Sequence, residues 1–332
     1  MRDVHYASPG ASGEALERRA ASPGPDTRFL GGGTTLFDLM KLGVEAPTSL
    51  VDLTRCGDLQ TIHADREAWR FGAGVTMGRL ATDPSVARDF PALAESLWKA
   101  ASPQIRNMAT VGGNLLQRTR CAYFRGTPAY PCNKREPGTG CSAIGGAQRG
   151  HALLGGSEHC VAVYPGDLAV TLVAFDAVID VRGPGGQQRS LALAELHRDP
   201  GSTPHLETSL ADDELIVAIR VPRLPAAKAS TYHKVRDRES YAFALASAAV
   251  GLQIEAGRVI DVRIGLGGVA TRPWRATLAE RHLRGGSLTR ETARQAAEIA
   301  YAAARPRQDN HFRLELGMDT LIDALMQAKE RL

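Results

Sequence analysis

The chain has few aromatics, little net charge, no apolar run of membrane-spanning length and no closely paired cysteines, and each shortage narrows what it can do. Phe, Trp and Tyr together make up 5% of the 332 residues, too few for a platform that stacks nucleobases. The formal net charge is only +4, and its basic residues are scattered except between Arg106 and Arg149. That concentration suits an anionic cofactor or a docking face better than a nucleic-acid footprint. The most apolar stretch, Val161 to Val181, contains Asp167, Asp176 and Asp180, so it is no membrane span. The first residues lack the charged-then-apolar order of a signal peptide; by itself the chain reads as cytoplasmic. What remains is an ordinary globular composition, 43% hydrophobic and 23% charged, long enough to bury a sizeable core in two or three domains.

The C-x₂₋₄-C pairs of structural zinc are missing. Yet four of the five cysteines, Cys121, Cys132, Cys141 and Cys160, fall within 40 residues, with gaps of 10, 8 and 18. Pro128, Pro131, Pro137 and a run of glycines between them fit no regular helix or strand. A long irregular segment inside a compact domain is functional or disordered. Four thiolates are the ligand set of a [4Fe–4S] cluster. On spacing alone zinc, with His151 or His159 in a mixed site, and two disulfides of undetermined connectivity stay open. Cys56 stands apart and reads as a buried thiol.

Two glycine runs flank this picture. Phe29-Leu30-Gly31-Gly32-Gly33-Thr34-Thr35-Leu36 joins a strand pattern to a helix pattern, a turn whose backbone N–H groups can face an anion. No Lys follows the last glycine, so it is not a Walker A loop. Leu36 stands where a Rossmann turn needs its third glycine. The bland alternative is a tight turn. In the second run, Thr110-Val111-Gly112-Gly113-Asn114-Leu115, Asn114 lies seven residues before Cys121. A phosphate cradle and a redox cluster would then be neighbours.

Along the chain, periodicity predicts helices over 12–20 and 34–42 and strands over 27–30 and 49–53, a small α/β unit. Paired strands follow at 61–64 and 69–72, then a helix at 91–101. Strands are expected within 161–181 and at 214–221. The segment Pro222 to Ala229 reads as a linker. Beyond it, 231–235, 243–254 and 259–266 form a meander turning at Glu255-Ala256-Gly257. Helices at 274–283, 289–304 and 311–331 close the chain, with Ser287 or Thr289 capping the second.

The two glycine runs resemble those of the FAD-binding, medium subunits of molybdenum hydroxylases, the family of xanthine dehydrogenase, carbon monoxide dehydrogenase and aldehyde oxidoreductase. Pro165-Gly166-Asp167-Leu168, Asp213-Glu214-Leu215-Ile216 with Val221-Pro222, and Tyr232-His233-Lys234-Val235-Arg236 through Phe243-Ala244 extend the resemblance over nearly the whole chain. It implies an α+β fold: a two-part FAD-binding domain of the PCMH/carbon monoxide dehydrogenase flavoprotein type, and a C-terminal domain with a three-stranded antiparallel sheet and a helical bundle. The implied divisions are 1–57, 58–223 with a [4Fe–4S] loop at about 119–161, and 229–332. Most of the family lacks the roughly 50 residues between the second glycine run and the Asp167 element. Two branches carry such an insertion with a [4Fe–4S] cluster: 4-hydroxybenzoyl-CoA reductase and the heterotrimeric bacterial aldehyde oxidoreductases, whose cysteine spacing this chain resembles more.

The resemblance further implies site residues. Arg28, Phe29, Leu30, Gly31, Gly32, Gly33, Thr34, Thr35 and Leu36 would hold the FAD pyrophosphate. Thr110, Gly112, Gly113 and Asn114 would form the second loop. Asp167 would bond the ribityl or ribose region, Ile216 would pack near the flavin, and Lys234 would reach its polar edge. Cys121, Cys132, Cys141 and Cys160 would ligate the cluster. No molybdopterin or [2Fe–2S] motif occurs, so no catalytic residue is expected beyond FAD. The implied partners are a large molybdenum subunit that oxidises an aldehyde to a carboxylic acid and a small subunit with two [2Fe–2S] clusters. A signal-bearing partner could carry the complex to the periplasm. The alternatives are a subunit of a 4-hydroxybenzoyl-CoA reductase-like enzyme, a stand-alone FAD oxidase, and a zinc-binding scaffold.

Overall fold

The protein is seen in a computed structural model that describes residues 3–22, 24 and 26–332. Three sheets organise the described residues. The first is parallel, with β1 (His5–Ala7) and β2 (Thr27–Leu30) flanking β3 (Ser49–Asp52). The second is antiparallel and five-stranded. Its order is β4 (Ile62–Ala64), β5 (Ala68–Gly72), β8 (Leu215–Pro222), β6 (Val178–Arg182) and β7 (Gln188–Ala192). The central strand β8 reads Leu-Ile-Val-Ala-Ile-Arg-Val-Pro and is buried along nearly its whole length, as a strand covered on both faces must be.

The third sheet holds β9 (Ala229–Val235), β10 (Ala246–Glu255) and β11 (Arg258–Gly267). A fourth strand, β12 (Trp274–Arg275), is two residues long and pairs with β11, so the expected three-stranded sheet gains a short edge. Ala256 (φ 47) and Gly257 (φ 77) make the β10–β11 turn, the two positive φ values that match hairpin twist. Helices Thr277–Leu283, Arg290–Tyr301 and Phe312–Lys329 pack on this sheet. Thr289 caps the second, accepting from the Thr292 N–H at 3.1 Å.

Two expectations change. Val161 to Val181 does not form strands throughout. Leu168–Ala174 is a helix, fully buried, and only β6 is a strand. The segment 222–229 is no free linker: Ala226 and Ala227 are buried, and a 3₁₀ turn spans Pro225–Ala227. The main core fills the space around the five-stranded sheet and reaches Tyr232 and Ala249 of the third sheet. A second core lies under the C-terminal helices. No helix among the described residues is long and apolar enough to cross a membrane.

Candidate flavin cleft and cysteine cavity

The first glycine run leaves β2 and enters the helix Leu36–Lys41. The second is a short helix, Val111–Leu115, whose N-cap Thr110 accepts from the Gly113 N–H at 3.2 Å. The two runs touch. A Cβ on Gly31 would sit 2.6 Å from Thr110 Oγ1, and one on Gly32 would overlap the Met108 carbonyl. Only Gly33 has positive φ, at 72°, which L residues other than glycine adopt at a cost.

Together the runs form one wall of a cleft of about 1100 Å³. Every residue from Arg28 to Leu36 lines it, as do Thr110, Gly113, Asn114, Asp167 and Lys234. Gly112 does not; it packs on Ala73, which its Cβ would approach to 2.7 Å. Ile216 lies in the main core, 3% exposed, outside the cleft lining. Cations outnumber carboxylates around the cleft. Glu45 accepts from Arg28 and Arg118 at 3.3 and 2.6 Å, and Arg118 also donates to Glu207 at 2.7 Å. Asp38 accepts from Arg120 at 3.1 Å and from Arg125.

At the cleft floor Asp167 is buried with two donors. Tyr232 donates to Oδ1 at 2.5 Å and the Lys234 ammonium to Oδ2 at 2.8 Å, while Lys234 also donates to the Lys99 carbonyl at 2.9 Å. Burial pushes the Asp167 pKa up, and Lys234 and Tyr232 pull it back. The ion pair is almost without solvent.

Sequence reasoning missed several cleft residues because no motif marks them. Tyr164, His197 and Glu207 come from irregular segments and meet only in the fold. His197 donates from Nε2 to the Leu115 carbonyl at 2.9 Å, and burial lowers its pKa to about 4, which keeps it neutral. Tyr241 and Phe243, both half exposed, stand at the cleft as well, with the Arg120 guanidinium over the Phe243 ring.

The four clustered cysteines line one small cavity with Tyr123, Phe124, Pro131, Lys134 and Ala143. All are free thiols. Cys132 and Cys141 face each other across an isolated antiparallel bridge. Burial pushes the Cys121 thiol up to about 11, and Cys132 and Cys160 push it the same way. Among the described residues no three His, Cys, Asp or Glu side chains are grouped closely enough to hold a metal ion, the four cysteines included. Cys56 is fully buried in another cluster, its thiol raised to about 11 by burial. Lys134, Cys160 and Ala162 line both cavity and cleft, so the two share a wall.

Comparison with known proteins identifies the family and the fold. The family described as "FAD binding domain in molybdopterin dehydrogenase" matches residues 2–224. "CO dehydrogenase flavoprotein C-terminal domain" matches residues 230–328. The aldehyde oxidoreductase FAD-binding subunit PaoB of Escherichia coli K12 is 44% identical over 305 residues, 92% of each chain. The carbon monoxide dehydrogenase medium chain of Hydrogenophaga pseudoflava is 26% identical, covering 92% of this chain and 88% of that one. In three dimensions, a chain of reconstituted CO dehydrogenase from Oligotropha carboxidovorans superimposes with a TM-score of 0.77 at 26% identity, covering 100% of both chains. A chain of quinoline 2-oxidoreductase from Pseudomonas putida 86 gives 0.76 at 25%, covering 99% of this chain and 98% of that one.

Proposed function

We infer the function from one premise: the chain belongs to the FAD-binding subunits of the molybdenum hydroxylases. It is the flavin subunit of an oxidoreductase in the aldehyde oxidoreductase and xanthine dehydrogenase family. Within that family we propose an electron-transfer subunit of a molybdenum-dependent aldehyde oxidoreductase, carrying FAD and a [4Fe–4S] cluster. It would take electrons from partner [2Fe–2S] clusters and pass them to an external acceptor. The observation that carries this reading is the shared wall between a cleft bounded by two glycine runs and a cavity lined by four free cysteines.

FAD, when bound, supplies the redox chemistry, and the chain supplies position and electrostatics. Arg28 to Leu36, with Thr110, Gly113 and Asn114, line the side of the cleft where glycine backbone could approach a pyrophosphate. The excess of cations over the cleft as a whole suits its charge. Asp167 and Lys234, locked by Tyr232 and the Lys99 carbonyl, offer fixed polar atoms to the ribityl chain or flavin edge.

The donor set fits the cluster. Four soft thiols suit iron and sulfide. The support is that all four cysteines line one cavity, as the four ligands of a cubane must. Burial favours the protonated thiol at Cys121 and Cys160, so their ligation would release protons. The 44% identity with an aldehyde oxidoreductase subunit favours an aldehyde as the oxidised substrate over the reductive branch.

The test is purification from a host expressing the neighbouring genes. The chain is expected to copurify with a large molybdenum subunit and a small iron–sulfur subunit. Produced alone, it is expected to show a flavin spectrum and no aldehyde oxidation. Aldehyde turnover by the pure single chain would refute the subunit reading.

A further inference from the structure

One polar group beside the cysteine cavity is used by nothing described so far. His151 is buried, and its Nε2 lies 3.2 Å from Cys121 Sγ. Its other ring nitrogen, Nδ1, is buried with no hydrogen-bond partner. The ring is held from behind. The His151 N–H donates to the Gln148 carbonyl at 2.9 Å, and Gln148 is itself tied to the Ala143 carbonyl at 2.6 Å. The His151 carbonyl accepts from Asn310 Nδ2 at 3.1 Å and from the Arg313 guanidinium at 2.6 Å. Its position is therefore fixed by the C-terminal domain as well as by its own loop.

We propose that His151 is a positioning and tuning residue for the cluster, donating from Nε2–H to the Cys121 thiolate. The inference rests on the proposal that the four cysteines hold [4Fe–4S]. In that state Cys121 carries no proton, so the 3.2 Å contact is attractive only if the imidazole supplies one. A donor to a ligand sulfur withdraws electron density from it and stabilises the reduced cluster, which gains one electron and one negative charge. The cluster potential rises accordingly. The apolar surroundings of Phe124, Ala143 and Ala162 strengthen such a bond by lowering the local dielectric. Among the described residues the cavity lining holds no histidine and, of Lys and Arg, Lys134 alone; His151 reaches the site through Cys121.

The test uses the full chain, produced alone and purified anaerobically, with His151→Leu and His151→Gln beside the wild type. Iron and acid-labile sulfide are measured, and the cluster is titrated by paramagnetic resonance at defined potentials. Wild type and both variants are expected to hold the cluster. His151→Leu should shift the midpoint to a more negative potential, and His151→Gln, which keeps an amide donor, should recover most of the shift. A retained cluster with an unshifted midpoint in His151→Leu would overturn the tuning role. Loss of iron from both variants while Cys121→Ser keeps it would make His151 a ligand and overturn the proposal. Wild type without iron and sulfide would refute the cluster itself, an outcome separable from the other two.

Discussion

Two residues of the first glycine run carry different constraints. Gly33 has φ 72°, so Gly33→Ala forces a side chain into the left-handed region at a cost of about 1–2 kcal/mol. Gly32 has no such φ; a Cβ there would overlap the Met108 carbonyl and drive the two runs apart. Gly32→Ala is therefore expected to cost toward the upper end of about 1–3 kcal/mol and to lose FAD, since it displaces the cleft wall. Thermal denaturation and flavin content of the two variants check this: comparable melting losses with full flavin in Gly32→Ala would contradict it. Lys234 makes a second residue-scale case. Lys234→Met leaves Asp167 buried with only Tyr232, an uncompensated charge worth about 3–5 kcal/mol at neutral pH. The Asp167 pKa is already raised by burial, with Lys234 pulling it back. Without Lys234 it rises further. A raised pKa favours the folded state at low pH and loses that advantage as pH climbs through it. The deficit of Lys234→Met against wild type should thus shrink from about pH 8 to about pH 5. A constant difference in melting temperature across that range would show that Asp167 stays charged.

At the scale of elements, the sequence was readable where composition is local and polar. Both glycine runs, the β10–β11 turn and the Thr289 cap declare themselves through residue types that only certain backbones accept. The helix Leu168–Ala174 did not, because it is buried on every side. A continuous apolar run has no polar face, so periodicity cannot separate helix from strand. The cleft was half readable: Gly31 to Thr35 and Asp167 lie in motifs, but His197 and Glu207 reach it only through tertiary folding. Gly112 and Ile216, adjacent to motif residues, serve packing. Arg313 is the clearest case of an element-scale role with no sequence mark. Its helix, Phe312–Lys329, sends a fully buried guanidinium to the carbonyls of Arg149, His151, Leu245 and Gly268. Burial lowers its pKa to about 10, which leaves it charged at neutral pH. Arg313→Met strands those carbonyls, at about 1–3 kcal/mol for each that water cannot reach. Hydrogen exchange should accelerate at 149–154 and 245–247 while the five-stranded sheet keeps its protection. Uniform acceleration would mean that Arg313 supports global stability instead.

At the scale of the molecule, the cysteine segment joins parts that are distant in sequence. Arg135 donates to the carbonyls of Gly126 and Gly43, Lys134 to that of Pro204, and the Gln148 N–H to Asp309. Leu153 N–H reaches the Val269 carbonyl of the C-terminal domain. The segment therefore contacts the first glycine-run helix region, the loop before β8 and the C-terminal domain. Its own glycines and prolines build little core, so on the proposed cluster reading ligation would offset much of its ordering entropy. Because Gly31 to Thr35 and Gly112 to Asn114 lie outside the cysteine segment, the sequence alone suggests that FAD would be less affected than the cluster by losing a cysteine. The shared wall of Lys134, Cys160 and Ala162 changes that expectation. Cys141→Ser, chosen because Cys141 lines the cavity and not the cleft, should lose iron and speed hydrogen exchange across residues 120–160. It should also weaken FAD binding on the order of tenfold, about 1.4 kcal/mol. Cys56→Ser, in a separate buried cluster, should leave iron and FAD affinity unchanged. Flavin fluorescence titration beside iron analysis decides the matter. If Cys141→Ser loses its iron yet binds FAD as tightly as wild type, the shared wall transmits no structural dependence, and cavity and cleft are independent sites built side by side.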